Sequence, residues 1–266
     1  MLNTDAHIHT SLCRHAVGTM DEYVRRAVEL GLERICFTDH VPLPFGFDPT
    51  HRMVPEELPG YIDQVKKLQH HYRDTIEICL GLECDFLPGV ESWLERLLHD
   101  NHYDYVLGSV HFVGRLASGK TIFVMRPGNA APEQLETTYW RQLEEMVKTG
   151  LFDAAAHLDI FKQADWQPCP EQLPQMERVL DCILEFDMAL EFNSSGWDKP
   201  GVKEAYPDKL LLQMAVKRAI PIICGSDAHS PGQVGRHRER MTARLRQLGV
   251  TQHAFYRQRQ RVMLPL

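Results

Sequence analysis

Two histidines near the N-terminus are spaced so that one metal ion could bind both. The residues Asp5-Ala6-His7-Ile8-His9 lie in a largely apolar run that predicts a β-strand. Side chains alternate between the two faces of a strand, so His7 and His9 point in the same direction. Imidazole nitrogens are common ligands of zinc and related metals. The pair alone is not specific for a metal site.

More histidines and carboxylates follow the later apolar runs of the chain, at the point where each run ends. The candidate metal ligands are His7, His9, His15, His40, Glu83, His111, His157, Asp227 and His229. In a parallel α/β barrel the carboxyl ends of all strands meet at one face, where active sites are built. We therefore expect these side chains to converge, because chance would have to place such a residue at the same end of six separate strands.

The number and type of these donors indicate more than one metal ion. Nine donors exceed the four that a single zinc ion takes, and they suit two or three divalent ions. Mixed imidazole and carboxylate ligands favour zinc, manganese or iron over magnesium or calcium. Such a cluster leaves the pocket locally positive, which suits an oxyanion such as a phosphate monoester. Metal ions can hold its phosphoryl oxygens and activate water.

The other seven histidines do not follow the ends of apolar runs. His51 falls in a loop, and the rest fall on predicted helices or at helix ends: His70, His71, His99, His102, His237 and His253. We expect all seven to be solvated surface residues. Two cysteines flank candidate ligands, but Cys13 and Cys84 are interpreted as packing residues rather than ligands.

Seven short apolar runs alternate with amphipathic stretches along the chain. The runs cover residues 2–9, 34–38, 76–82, 103–110, 152–156, 188–192 and 220–224. Helices are predicted around residues 20–30, 61–68, 93–98, 132–147, 174–186, 208–218 and 238–248. Strands that alternate with helices indicate a parallel sheet. Dividing 266 residues among seven units gives 38 residues each, which suits a single-domain barrel over residues 1–266; a doubly wound open sheet is the alternative.

The segment from residue 112 to 131 is the one long connection with no clear periodicity, so it is either a lid or a solvent-exposed insertion. Within it, residues 114–121 match the P-loop pattern Gly-x-x-x-x-Gly-Lys-Thr. A working P-loop needs a helix that begins at its Lys-Thr. The residues that follow, Ile122-Phe123-Val124 and then Pro127, form a poor helix, so we do not expect nucleotide binding here, although Lys120 could reach an oxyanion from a lid.

Composition excludes several classes of protein. The chain is 44% hydrophobic and 24% charged, as in globular proteins, and its net charge of −7 predicts no broad attraction to nucleic acid or anionic membranes. It has no apolar run of membrane-spanning length and no secretory signal. Seven cysteines without a Cys-x-x-Cys spacing argue against a disulfide framework and predict a cytoplasmic protein.

The motifs around the candidate ligands resemble those of a known family. They are Asp5-Ala6-His7-Ile8-His9-Thr10, Cys13-Arg14-His15-Ala16, Phe37-Thr38-Asp39-His40, Gly81-Leu82-Glu83, Gly108-Ser109-Val110-His111, Ala156-His157-Leu158-Asp159 and Gly225-Ser226-Asp227-Ala228-His229. This set resembles the polymerase-and-histidinol-phosphatase (PHP) superfamily, and within it the monofunctional histidinol-phosphatase branch. The likeness runs nearly end to end.

The resemblance implies a distorted seven-stranded (β/α) TIM-like barrel with a trinuclear metal site. The first ion would lie on His7, His9, Glu83 and Asp227. Glu83 would bridge to a second ion on His111 and His157, and a third would lie on His15, His40 and His229. The resemblance also implies hydrolysis of L-histidinol phosphate to L-histidinol and phosphate in histidine biosynthesis. One departure occurs after the sixth strand, where Ser195-Gly196-Trp197-Asp198-Lys199 replaces a basic Gly-Leu-Arg-type stretch that is common in the branch.

We therefore expect a metal-dependent phosphomonoesterase that acts on a small molecule. The candidate catalytic residues are Glu83, Asp227 and His229, and the candidate substrate-binding cations are Arg14, Arg52, Arg115 and Lys162. One alternative is a PHP-family phosphoesterase that acts on another monoester, a nucleotide or nucleic acid. The other is a metal-binding module without turnover. The sequence does not indicate an oligomeric state.

Overall fold

The computed structural model describes residues 1–116, 120–164 and 170–266. Its strands are β1 (Thr4–Ile8), β2 (Arg34–Phe37), β3 (Glu77–Asp85), β4 (Tyr105–Ser109), β5 (Phe112–Arg115), β6 (Lys120–Phe123), β7 (Ala154–Ala155), β8 (Ala189–Asn193), β9 (Ile222–Gly225), β10 (Gln252–Arg257) and β11 (Gln260–Pro265). Its α-helices are α1 (Met20–Glu29), α2 (Leu58–Tyr72), α3 (Glu91–His99), α4 (Pro132–Lys148), α5 (Leu173–Glu185), α6 (Lys209–Lys217) and α7 (Arg238–Gln247). Each of the seven predicted runs contains a strand.

The main sheet is mostly parallel, and its strands are ordered as they are in the sequence. Strands β1, β2, β3, β4, β7, β8 and β9 lie side by side in that order, all parallel. The order never reverses, as it would in a doubly wound sheet. β10 then pairs with β9 in parallel, and β11 pairs with β10 in the antiparallel sense. The predicted α/β class is confirmed.

The first and last predicted strands approach each other beyond their carboxyl ends. A single β-bridge joins Ile8 to Ala228, which lies just after β9. The His9 amide donates to the Ala228 carbonyl at 3.0 Å, and the Ala228 amide donates to the His7 carbonyl at 3.3 Å. At its start, β9 pairs instead with β10, at Ile223 and Ala254. β1 and β9 therefore meet at the end where the candidate ligands lie.

Local sequence signals explain how the elements begin and end. α1 starts with the predicted capping box, in which Thr19 and Glu22 satisfy each other's backbone amides. It ends before Gly31, whose φ of +67° favours glycine. The seven parallel strands are buried on both faces, with small residues such as Ala6, Cys36 and Ala154 in one core cluster and large side chains between sheet and helices in the other. No described helix has both the length and the apolar character needed to cross a membrane.

Two hairpins were not predicted from the sequence. Segment 112–131 contains the antiparallel pair β5–β6, and β6 begins at Lys120, where a P-loop would need a helix. Residues 117–119 of the P-loop pattern lie outside the described residues. The C-terminal hairpin β10–β11 corrects the expectation for His253, which lies in β10 and is completely buried rather than solvated. The four residues between Gln252 and Arg257 are all buried, so this strand shows no period-two alternation in the sequence.

The burial of His253 predicts a loss of stability at acid pH. Burial lowers the pKa of His253 to about 4, whereas the histidine of an unfolded chain titrates near 6.5. Between those two pH values the unfolded chain binds more protons than the folded chain, so stability falls as the pH falls. Between pH 7 and pH 4, the unfolding free energy of the unchanged protein should fall by about 3 kcal/mol more than that of a His253→Leu variant.

Urea unfolding across this pH range measures the effect. His99, whose side chain is 89% exposed, provides the control, because His99→Leu removes a histidine from solvent and should leave the pH dependence unchanged. Equal pH dependence in His253→Leu and in the unchanged protein would contradict the prediction.

Candidate metal centre

The nine predicted ligands meet at the carboxyl ends of the parallel strands. They come from β1, β3 and the segments that follow β1, β2, β4, β7 and β9. Eight of them line one cavity of about 490 Å³: His9, His15, His40, Glu83, His111, His157, Asp227 and His229. The ninth, His7, lies directly behind, with its Nε2 at 3.0 Å from Nε2 of His9. The predicted convergence is therefore present in the fold.

Glu83 lies between two groups of histidines and is almost completely buried. Its Oε2 is 3.4 Å from Nε2 of both His7 and His9. Its Oε1 is 2.8 Å from Nε2 of His157 and 3.7 Å from Nε2 of His111. Oε1 thus faces His111 and His157, whereas Oε2 faces His7, His9 and also His40, whose Nδ1 lies 3.1 Å away. A carboxylate whose two oxygens face separate groups of imidazoles could bridge two metal ions.

A further histidine group, made of His15, His40 and His229, lies beside the imidazoles that surround Glu83. Ligand atoms of His15, His40 and His229 all lie within 4.8 Å of one another. His229 Nδ1 donates to the Asp227 carbonyl at 3.0 Å, which leaves its buried Nε2 without a hydrogen-bond partner. A buried polar atom without a partner costs free energy, and here an ion would supply the missing partner. His40 also lies close to Glu83, with Nδ1 at 3.1 Å from Oε2, so it borders both groups.

Burial and neighbouring charges set the protonation states of the site. Burial lowers the pKa of His40 and of His229 well below the usual value. Burial opposes ionisation of Glu83 and Asp227, but the imidazoles around them outweigh it and hold both pKa values well below the usual range. Neutral imidazole and ionised carboxylate are the forms that bind metals. Burial likewise opposes protonation of His7, yet nearby carboxylates raise its pKa well above normal, Glu191 foremost.

Carboxylates behind the ligands orient the imidazoles. Nδ1 of His7 lies 2.6 Å from Oε1 of Glu191, whose other oxygen accepts from the His157 amide at 2.9 Å. Nδ1 of His111 lies 2.8 Å from Oδ1 of Asp85. Such partners fix which ring nitrogen faces a metal. Neither carboxylate was assigned a role from the sequence. Glu191 lies within the predicted run 188–192, and Asp85 lies three residues after the run 76–82.

Of the four predicted substrate-binding cations, one lines the cavity. Arg52 is almost completely buried and donates to Asp85 at 2.7 Å and to Asp48 at 3.2 Å. Arg14 instead pairs with Glu57 on the surface, and Arg115 lies at the exposed end of β5; neither is among the cavity-lining residues.

Lys162 is fully buried and does not line the cavity. Its Nζ lies 2.8 Å from Asp159 and 3.0 Å from Glu204. A buried ammonium needs such partners, so its charge is already compensated within the fold. Three cations that the sequence analysis did not select line the cavity instead: Arg126, Lys199 and Arg236. Lys199 ends the stretch that departs from the family pattern, so a basic residue is present at the cavity despite that departure.

The outer wall of the cavity is partly aromatic. Phe112 and Phe123 of the β5–β6 hairpin line it, with ring centroids 5.0 Å apart. His51 was expected to be an ordinary surface residue, but it lines the same cavity. Its ring centroid lies 6.3 Å from that of Phe123, on which it stacks, and 5.8 Å from that of His15. The hairpin segment therefore contributes a wall of the site.

One described cysteine, Cys13, lies near the candidate ligands. Cys13 Sγ lies within 4.8 Å of ligand atoms of His9 and His229. Burial raises the pKa of the Cys13 thiol to about 12, which is typical of a cysteine that packs in the core. Cys84 is buried in the core between sheet and helices. The six described cysteines are all free and buried.

Comparison with known proteins identifies the family. The PHP domain model matches residues 5–195, and a PHP-associated model matches residues 210–246. A protein of Deinococcus radiodurans named "probable histidinol-phosphatase" is 41% identical over 231 residues, which cover 87% of this chain and 88% of that one. The histidinol-phosphatase of Bacillus subtilis is 29% identical over 259 residues, which cover 88% and 96% of the two chains.

A solved structure has the same fold. The histidinol phosphate phosphatase of Lactococcus lactis superposes with a TM-score of 0.81 at 22% identity, over 97% of this chain and 98% of that one. With the family model matched over most of the chain and a 41% identical relative, the chain belongs to the PHP family, in its histidinol-phosphatase branch.

Proposed function

We propose that this protein is a metal-dependent histidinol-phosphatase, which hydrolyses L-histidinol phosphate to L-histidinol and phosphate. The observation that carries the proposal is the position of Glu83, a buried carboxylate whose two oxygens face separate groups of imidazoles at the base of an open cavity. The names of the Deinococcus and Bacillus relatives support the substrate. So does the Lactococcus structure, which is a complex with zinc, L-histidinol and phosphate.

We infer a site for two or three divalent ions, of zinc, manganese or iron. One ion would be held by His7, His9, Glu83 and Asp227, a second by Glu83, His111 and His157, and a third by His15, His40 and His229. The donors fit, because they are mostly imidazoles, the two carboxylates are ionised, and the buried Nε2 of His229 has no other partner. Ions in such a site polarise phosphoryl oxygens and lower the pKa of water.

The protein's own groups then have three tasks. Glu83 keeps its two oxygens ionised between the imidazole pairs, held in place by β3. Glu191 and Asp85 keep His7 and His111 turned so that Nε2 faces Glu83. The leaving alkoxide must take up one proton, for which Asp227, His229 or water are the candidates; His229 Nδ1 lies 3.4 Å from Asp227 Oδ1 at one wall.

The cavity suits a small phosphomonoester with a ring. Its volume of about 490 Å³ is typical of small-molecule sites. Arg126 and Lys199 are exposed at its rim and can draw in an anion, whereas Arg52 lies deeper in the wall with its charge paired to Asp48 and Asp85. Phe112, Phe123 and His51 offer flat faces for an imidazole ring.

We also infer that the seven parallel strands form a distorted barrel. The Ile8–Ala228 bridge supports closure between β1 and β9 at the end that carries the site. Closure at this end brings His7 and His9 against Asp227, with His9 Nε2 at 3.3 Å from Oδ1.

Steady-state kinetics after metal reconstitution tests the proposed function. We expect kcat/KM for L-histidinol phosphate to exceed that for p-nitrophenyl phosphate and for nucleoside monophosphates by about 100-fold or more, because a site shaped for particular ring and amine groups rejects substrates without them. Faster cleavage of single-stranded DNA, or equal rates on all monoesters, would contradict the substrate. Tight metal binding with no turnover of any monoester would indicate a binding module instead.

A further inference from the structure

One arginine holds the backbone of the turn that carries two of the candidate metal ligands. Nε of Arg236 donates to the Ser226 carbonyl at 2.8 Å, and Nη2 donates to the Asp227 carbonyl at 2.9 Å. The guanidinium thus spans two successive peptide groups, and its side chain is only 11% exposed. A planar fork of donors suits such a double contact, which a lysine cannot reproduce.

Asp227 adopts a left-handed backbone conformation, which costs an L-residue free energy even though aspartate tolerates it better than most residues, so a contact that holds the turn has a structural role. Its φ is +54°, in the left-handed region that non-glycine residues rarely adopt. Such conformations persist only where the surroundings impose them. The two hydrogen bonds from Arg236 fix the orientation of the peptide groups on either side of this φ angle.

The same carbonyl also sets the orientation of His229. Nδ1 of His229 donates to the Asp227 carbonyl at 3.0 Å, so this one oxygen accepts from both His229 and Arg236. With Nδ1 engaged, Nε2 of His229 is the nitrogen left for a ligand. The position of the Asp227 carbonyl therefore sets where Nε2 of His229 points. The same turn carries the Asp227 carboxylate, so both candidate ligands depend on it.

Arg236 is itself oriented from the opposite side by Asp198. Oδ2 of Asp198 lies 3.2 Å from Nη1 of Arg236, and its Oδ1 lies 2.7 Å from Nε2 of His237. Asp198 belongs to the stretch after β8 that departs from the family pattern. Three of the five guanidinium N–H groups are thus engaged within the protein.

We propose that Arg236 is a positioning residue, which holds the Ser226–Asp227 turn and thereby aims Asp227 and His229 at the metal centre, with Asp198 fixing the guanidinium. The inference rests on the proposed metal-dependent function. It accounts for an arginine that lines the cavity while its donors are turned largely to backbone oxygens.

The test compares zinc affinity and kinetics in Arg236→Gln and in a matched control. Arg240→Gln removes the same charge from a nearby arginine that stacks on Trp197 and is not among the residues that line the cavity. We expect Arg236→Gln to weaken zinc binding by about 10-fold to 100-fold, measured by competition with a chromogenic chelator. At saturating zinc, its kcat should fall about 10-fold or more while KM changes less than about 2-fold, and Arg240→Gln should match the unchanged protein.

A substrate-binding role for Arg236 gives the opposite pattern. Unchanged zinc affinity with a raised KM and normal kcat in Arg236→Gln would overturn the proposal. Should that variant fail to fold, Asp198→Asn tests the same support, because it removes the carboxylate that orients Arg236 and leaves the arginine in place. We expect its zinc affinity to be several-fold weaker, and an unchanged zinc affinity would overturn the proposal. The zinc measurement needs no substrate, so zinc binding without hydrolysis of L-histidinol phosphate would reject the proposed function and leave this inference standing.

Discussion

Glu83→Gln is expected to abolish turnover, with a fall in kcat of about 1,000-fold or more. The amide keeps the shape of the carboxylate but has one acceptor oxygen and no charge. In the fold, both oxygens of Glu83 face imidazoles, at distances from 2.8 to 3.7 Å. A glutamine would turn its NH₂ group toward one of these imidazole groups, so one proposed ion position would lose its oxygen ligand. The other would keep only a neutral amide oxygen, so both positions served by Glu83 would be weakened together.

The matched control is Glu77→Gln. Glu77 is the first residue of the same strand, but it lies at the surface and pairs with Arg34 and Arg257. Surface ion pairs contribute about 1 kcal/mol or less, so this variant should keep its activity. Elemental analysis should find less metal bound to Glu83→Gln than to Glu77→Gln. Near-normal activity with full metal content in Glu83→Gln would rule out the bridging role of Glu83.

The strand-end ligands could be predicted because they depend on order along the chain alone. A histidine or acidic residue directly after an apolar run lies at the carboxyl end of a strand whichever strands pair. Glu83, His111 and Asp227 were found in this way, before any strand neighbour was known. Period-two alternation added that His7 and His9 share a face.

The supporting residues could not be predicted, because their roles depend on contacts between distant segments. Glu191 faces His7 across 184 residues of sequence, and Asp85 meets His111 only because β3 and β4 pair in one particular register. Arg236 lies in a turn before α7, where nothing in the local sequence separates it from its exposed neighbours. His253 was misassigned for a related reason, since only the pairing of β10 with β9 shows that it is buried.

Removal of metal is expected to abolish activity and also to destabilise the fold. The site buries several imidazole nitrogens that have no hydrogen-bond partner, among them Nδ1 of His9 and Nε2 of His229. It also buries two ionised carboxylates, Glu83 and Asp227, whose desolvation is unfavourable. Ions that bind only the folded state offset both costs. Zinc at about 100 to 1,000 times its dissociation constant should raise the unfolding free energy by about 3 to 4 kcal/mol.

Chelation followed by stepwise return of metal tests this prediction in one series of urea unfolding curves and activity assays. Stability and activity should rise over the same zinc concentrations, and Glu83→Gln should show a smaller zinc-dependent gain in stability because it has lost a shared ligand. Manganese or iron should also restore both properties, whereas magnesium should not, because it prefers oxygen donors and this cluster is mostly imidazole. If chelated protein kept full activity, or if magnesium alone restored it, an imidazole-held metal centre would not be the catalytic site.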